Sequence, residues 1–143
     1  MAFPDRIERT RILTRPPIEV WPALTTAAGL SAWFGERATI DLRPGGEASM
    51  TFSGGMTVEM RVERVEEPSV FAYTWRLPDL PDDDARRTYV EFTLEPAGTG
   101  TLLTVTETGF AQLPVDSRRQ TYQSHGDGWS RELAELVEHL DGG

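Results

Sequence analysis

At 143 residues the chain is large enough to bury a core without external staples, and residues 1–143 are read as a single domain. It contains no cysteine, which excludes a disulfide framework, a thiolate metal site and a cysteine nucleophile, and gives no reason to expect an oxidising compartment. The 14 basic against 23 acidic residues leave a formal net charge of -9, which argues against nucleic acid or an anionic membrane surface as a partner.

No stretch approaches the roughly 20 apolar residues of a membrane span, and "MAFPDRIERTRIL" lacks the apolar core of a signal peptide. A cytoplasmic protein with no membrane insertion is expected. Only two histidines, His125 and His139, are present, too few ligands for a dedicated zinc site. "PDLPDDDARR" lacks the spaced ligands and mid-loop glycine of a calcium loop, so it reads as a solvated acidic loop. No metal and no cofactor are expected.

In chain order, Arg6 to Leu13 alternates only in part, as an edge strand does. "RPPIEVWPALTT" opens on prolines that suit a first helical turn, and Val20, Trp21 and Leu24 form an apolar stripe. Pro22 removes a backbone donor and predicts a bend or an early stop. A second short helix follows around Leu30 to Phe34, ended by Gly35.

Period-two patterning then takes over. Ala38, Ile40 and Leu42 are followed by the turn "RPGG", then by Ala48, Met50 and Phe52, the turn "SGG", and Val58, Met60 and Val62. Phe71, Tyr73 and Trp75 come next, then the acidic loop, Val90, Phe92 and Leu94, the turn "PAGTG", and Leu103 and Val105. Six consecutive strands with one apolar face each predict an antiparallel meander. The "RPGG" glycines suit a tight turn rather than a phosphate loop, since strand follows strand and no Walker lysine is present.

A sheet with one apolar face needs a cover, and the last segment supplies one. Asp116 and Ser117 are candidate N-caps, and Ser117 with Gln120 matches a capping box. Tyr122, Trp129, Leu133, Leu136 and Leu140 fall on one stripe at helical spacing. His125 lies about 40° from Trp129 around the helix, and Asp127 about 160° away, so the histidine faces inward and the aspartate outward. They are therefore no catalytic pair, and no nucleophile-elbow phrase supports a serine triad.

The element order, with "PPIEVWPALTT", "LSAWFG", "DLRPGGEASM", "TVTETGF" and "HGDGWSRELAELVEHL" in sequence, resembles the START-like (SRPBCC) superfamily. More narrowly it resembles bacterial homologues of the C-terminal domain of the heat-shock-protein ATPase activator, from about Arg6 to Leu140. The resemblance implies an α+β helix-grip fold. In it, a six- to seven-stranded curved antiparallel sheet wraps a long C-terminal helix, and two short helices follow the first strand. It also implies a cavity between that helix and the sheet, without fixing one ligand or reaction.

The candidate ligand-binding residues follow from these faces. Phe71, Tyr73, Trp75 and Phe92 from the sheet, with Tyr122 and Trp129 from the helix, are candidates for an aromatic wall, or else plain core. Met50 and Met60 offer an adaptable lining or gap filling, and Trp33, beside Phe34, a gate or a packing role. Glu107 continues the inward face of Leu103 and Val105, so a pair with His125 would place a carboxylate and an imidazole in the cavity. His139 is explained by its place near the helix C-terminus.

Gly126 and Gly128 each weaken a helix by about 1 kcal/mol relative to alanine. Gly126, on the edge of the inward stripe, is expected to leave space over the sheet or let a strand approach. Gly128 sits on the flank and suits a local kink.

Three functions are carried forward. The first is a small-molecule binding protein with an apolar or aromatic cavity, its partner a hydrophobic or aromatic small molecule. The second is a co-chaperone-like interaction module, for which a chaperone is the partner. The third is a cyclase- or hydrolase-like enzyme using His125. A homodimer is compatible with each.

Overall fold

The computed structural model describes residues 5–52, 54–77, 80–81 and 83–141. Met1 to Pro4 of the opening stretch, Ser53 of the "SGG" turn, and Pro78, Asp79 and Asp82 of the acidic loop lie outside the described residues.

The chain runs β1 (Arg6–Leu13), α1 (Pro17–Thr25), α2 (Ala27–Trp33), then β2 (Arg37–Ile40), β3 (Glu47–Thr51), β4 (Thr57–Glu66) and β5 (Val70–Arg76). It continues through β6 (Arg87–Ala97), β7 (Gly100–Thr108), a 3-10 turn (Phe110–Gln112) and α3 (Val115–Asp141). All strands join one antiparallel sheet in the order β1-β7-β6-β5-β4-β3-β2. β2 to β7 form the expected meander, while β1 and β2 hold opposite edges, so α1 and α2 carry the chain across one end of the sheet. This is the α+β helix-grip architecture.

Alternation fixes which face is buried. Val58, Met60 and Val62 of β4, Phe71, Tyr73 and Trp75 of β5, Val90, Phe92 and Leu94 of β6, and Leu103 and Val105 of β7 all enter one core. Trp129, Leu133, Leu136 and Leu140 of α3 close that core from the other side. The far end of α3 is fastened to the β1 edge. Arg15 Nε donates to the Leu140 carbonyl at 2.6 Å, and Thr14 Oγ1 donates to Asp141 at 2.7 Å, occupying acceptors at the helix terminus.

Register slips by one residue on β4 between Val62 and Arg64, and the "RPGG" turn docks at that bulge. There Gly45 N donates to the Val62 carbonyl at 2.7 Å and Val62 N to the Gly46 carbonyl at 2.9 Å. Gly45 has φ +84°, and a β-carbon on Gly46 would sit 2.0 Å from the Asp41 carbonyl oxygen, so both glycines are required by the turn.

At the helix ends one local expectation changes and two hold. Helix α3 starts at Val115, ahead of the capping box: the Pro114 carbonyl accepts from Ser117 N at 3.1 Å and Arg118 N at 2.9 Å. Proline has no N–H to satisfy and a helix-compatible φ, so it opens the helix and leaves Ser117 inside the first turn. Pro22 is accommodated within α1, which runs one further turn before Thr26 turns extended and accepts from Gly29 N at 2.9 Å as the cap of α2. Gly35 follows the α2 C-cap Phe34 as expected and donates to the Leu30 carbonyl at 3.3 Å, and its missing side chain also admits Met50, whose Sδ would be 2.6 Å from a β-carbon there.

Candidate functional site

The site is organised by a carboxylate in the wrong place for a carboxylate. β7 presents Leu103, Val105 and Glu107 to the interior in alternation, and Glu107 is fully buried. An ionised carboxylate removed from water costs several kcal/mol unless its oxygens are satisfied. Glu107 is satisfied by four side chains. Its Oε2 accepts from Trp75 Nε1 at 2.9 Å and Thr88 Oγ1 at 2.5 Å, its Oε1 from Trp129 Nε1 at 2.8 Å, and His125 Nδ1 lies 2.9 and 3.0 Å from the two oxygens.

Each donor is placed by regular structure. Trp75 and Thr88 are directly paired across β5 and β6, and Thr88 Oγ1 also accepts from Trp75 Nε1 at 2.9 Å. His125 and Trp129 are one helical turn apart on α3 and so share a face. Burial alone would raise the Glu107 carboxyl, but hydrogen bonding and the charge of His125, helped by Thr88 and Trp129, outweigh it and hold the group below its ordinary range. Because the ionised carboxylate can only accept, the hydrogen between the two groups resides on His125 Nδ1.

Around this pair the rings are in contact. Trp129 lies over Trp75 at 5.8 Å and 23° between planes, and over Phe34 at 5.4 Å and 25°. Phe92 meets Trp129 edge-on at 5.7 Å, and Phe110 meets the His125 ring edge-on at 5.7 Å.

One cavity of about 380 Å³ opens beside this stack, between α3 and the β2–β5 end of the sheet. Phe34, Phe52, Met56, Val58 and Trp75 form its apolar wall; Ser124, His125, Gly128, Trp129 and Glu132 form the helix side; Arg76 and Arg131 complete it. A second depression of about 490 Å³ adjoins it and shares Phe34, Phe52, Arg131 and Glu132. Partial burial, with Glu135 nearby, raises the Glu132 carboxyl despite Arg131.

The sequence-derived candidates are distributed unevenly. Trp75, His125 and Trp129 border the cavity, and Glu107 lies directly behind them. Met50, Met60, Phe71, Tyr73 and Phe92 fill the interior instead of lining the cavity, because aromatic and thioether side chains of that volume leave no continuous space under α3. The Tyr73 hydroxyl is buried without a hydrogen-bond partner among the described residues, and burial, with the Glu107 charge, pushes it well above the ordinary phenol value. Trp33 is buried, donates to the Ala23 carbonyl at 2.7 Å and stacks on Phe34 at 4.9 Å, bordering only the adjoining depression. Tyr122 leaves the group: it packs on Phe110 at 5.3 Å and donates to the Arg6 carbonyl at 2.9 Å.

The two glycines take different places. A β-carbon on Gly126 would come within 3.0 Å of Arg9 Nη2, so its missing side chain admits the β1 arginine, which donates to Ser130 Oγ at 3.1 Å. Gly128 borders the cavity, and a β-carbon there would meet nothing nearer than Arg131 Nη2 at 3.8 Å. Thr88 and Arg131 were missed in the sequence. Thr88 would have required the β5–β6 register, which the acidic loop between those strands conceals.

The sequence profile of the family described as Activator of Hsp90 ATPase homolog 1-like protein matches residues 14–141. The chain belongs to this family. A search among curated proteins finds no match. Among solved structures, MLL2253 from Mesorhizobium loti superposes with a TM-score of 0.82 at 26% identity, covering 96% of this chain and 97% of that one. PFC0360w, an HSP90 activator from Plasmodium falciparum, gives a TM-score of 0.77 at 21% identity over 97% of each chain, a likeness of fold. DynU16, from the dynemicin biosynthetic locus, gives 0.80 at 22% identity over 97% of this chain and 48% of that one. No helix among the described residues is long and apolar enough to cross a membrane.

Proposed function

We propose that the protein binds an apolar or aromatic small molecule in the cavity between α3 and the β2–β5 end of the sheet. The observation that carries this reading is the cavity of about 380 Å³ walled by Phe34, Phe52, Trp75 and Trp129, with one oriented imidazole on its helix side. Concave, mostly apolar sites with a few placed polar groups are where small molecules bind, and volumes from about 300 Å³ upward suffice. A molecule of one to three rings fits this space better than a long acyl chain. A cytoplasmic, metal-free binding protein is the corresponding cellular picture.

The test is a thermal-shift screen of hydrophobic compounds against the wild type and Gly128→Phe. A β-carbon at position 128 meets nothing nearer than Arg131 Nη2 at 3.8 Å and borders the cavity, so the larger ring is expected to fill the cavity with the fold kept. Ligands at about 100 times Kd should stabilise the wild type by about 2.7 kcal/mol and leave Gly128→Phe unmoved. Equal shifts in both proteins would place binding elsewhere and end this reading.

A second reading, interaction with a chaperone ATPase, draws on family membership and on PFC0360w being an HSP90 activator. Stimulation of a chaperone ATPase that survives Gly128→Phe would favour it. Turnover by His125 is the third, and a His125→Ala protein with full activity on any identified substrate would remove it.

A further inference from the structure

Three of the rings that wall the cavity come from separate elements: Phe34 caps α2, Trp75 stands on β5 and Trp129 on α3. They lie close to parallel, Trp129 inclined 23° to Trp75 and 25° to Phe34, with centroids 5.8 and 5.4 Å apart. Contact between ring faces holds such a stack together but tolerates sliding, because offset and tilted arrangements are both favourable. It does not by itself fix where a ring on the helix stands relative to a ring on the sheet.

Glu107 supplies what the stacking lacks. Its two oxygens take one indole each: Oε1 accepts from Trp129 Nε1 at 2.8 Å, and Oε2 from Trp75 Nε1 at 2.9 Å. Thr88 Oγ1 lies 2.9 Å from the same Trp75 nitrogen and 2.5 Å from Oε2, so the Trp75 ring is held from two sides. An indole has a single N–H, and aiming it at a fixed oxygen sets the tilt of the whole ring. Bonds to an ionised carboxylate are about twice as strong as neutral ones, and Glu107 and Thr88 are both fully buried, away from competing water. Neither residue borders the cavity; both stand behind its wall.

We propose that Glu107, supported by Thr88, is the positioning residue of this cavity, setting the affinity for a ring-bearing molecule by holding the Trp75 and Trp129 faces in place before that molecule arrives. This rests on the cavity being a binding site and adds what governs its affinity. A ligand that meets walls already ordered does not have to immobilise those side chains itself, and the difference appears as tighter binding.

The test is isothermal titration of 2-naphthol into the wild type, Glu107→Gln, Thr88→Val and Thr88→Ser, with the indole N–H signals followed by nitrogen-15 NMR in the same proteins. Glutamine offers one acceptor oxygen where the carboxylate offers two, so one indole keeps its bond and the other meets an N–H. One of the Trp75 and Trp129 signals should lose its protection from solvent exchange, while Trp33, bonded to the Ala23 carbonyl, stays as it was. Naphthol affinity should fall about two- to tenfold, the scale of one side chain whose ordering the ligand must now supply. Thr88→Val keeps both shape and carboxylate and serves where Glu107→Gln does not fold; it should weaken binding about twofold, and Thr88→Ser, which restores the hydroxyl, should recover it. In a Trp129→Phe background, which keeps a ring and removes the N–H, Glu107→Gln should cost less affinity than in the wild type, a coupling that general loosening of the fold would not produce.

Unchanged affinity in Glu107→Gln and Thr88→Val, a loss that Thr88→Ser fails to recover, or equal losses in the two backgrounds would overturn the positioning role while leaving the cavity a binding site. The NMR arm needs no ligand: both indole signals unmoved in Glu107→Gln and Thr88→Val would overturn that role whatever binds. Absence of naphthol binding, with no compound stabilising the wild type in the thermal-shift screen, would overturn the binding reading and this one with it.

Discussion

His125 Nδ1 on α3 lies 2.9 Å from Glu107 Oε2 on β7, and the carboxylate in this pair is fully buried. The contact ties the covering helix to the sheet strand next to the β1 edge, beside the Trp129 bond to the same carboxylate. Removing one member of such a pair strands the other in a medium that cannot solvate it. His125→Ala and Glu107→Gln are each expected to destabilise the protein by about 2–4 kcal/mol in chemical denaturation. A loss below about 1 kcal/mol for both would mean that the pair is dispensable.

The same pair sets an acid limb to stability. The Glu107 carboxyl is held below its ordinary value of 4.5 in the folded chain, so the unfolded chain binds its proton first as pH falls. The stabilisation is therefore complete above about pH 4.5 and declines as pH drops through the lower folded value. Denaturation midpoints measured between pH 6 and 3 should show this decline in the wild type, and a shallower one in Glu107→Gln. Parallel curves would assign the acid sensitivity to other carboxylates.

Gly126 and Gly128, alike in the sequence, should respond in opposite ways to alanine. Gly128→Ala makes only an ordinary contact with Arg131 Nη2 at 3.8 Å and gains helix propensity, so a stabilisation of about 1 kcal/mol and a rise of roughly 2–4 °C in Tm are expected. Gly126→Ala pushes on Arg9, whose bonds to Ser130 and the Gly126 carbonyl must yield, and should gain little or lose stability. Equal gains at the two positions would contradict the packing of β1 on α3.

Ser117 provides a check on the start of α3. As a residue inside the first turn, with its hydroxyl 3.3 Å from the Pro114 carbonyl, it should lose less than about 0.5 kcal/mol on substitution by alanine. A loss of about 1 kcal/mol or more would be the signature of an N-cap.

The antiparallel meander, the edge place of the first strand and the covering helix were readable from period-two and helical spacing, since burying one face is what those patterns do; the pairing of β1 with β7 was not. The inward turn of Glu107 and of His125 was readable in the same way, from Leu103 and Val105 on one side and Trp129 on the other. What the spacing does not contain is volume. Phe71, Tyr73 and Phe92 face the helix as expected, but whether they line a space or fill it depends on how all the facing side chains sum, and they fill it. Tyr122 shares the stripe of Trp129 but lies two turns away along α3, over Phe110 and Arg6. The wheel places Gly126 and Gly128 on opposite flanks of that stripe, and only the position of the β1 edge decides which flank meets Arg9 and which the cavity. The capping box at Ser117 is a sound local pattern overridden by Pro114 just before it.

The central claim is that the space beside Trp129 receives a small aromatic molecule, and indole N–H signals report on it directly. The chain has four tryptophans, of which Trp75 and Trp129 donate to Glu107 at the cavity while Trp21 lies elsewhere in the core. In a nitrogen-15 NMR titration with a compound that stabilises the protein, the Trp75 and Trp129 indole signals and the Gly128 amide should shift together, with Trp21 unchanged. Saturable binding that leaves those three signals in place would contradict it.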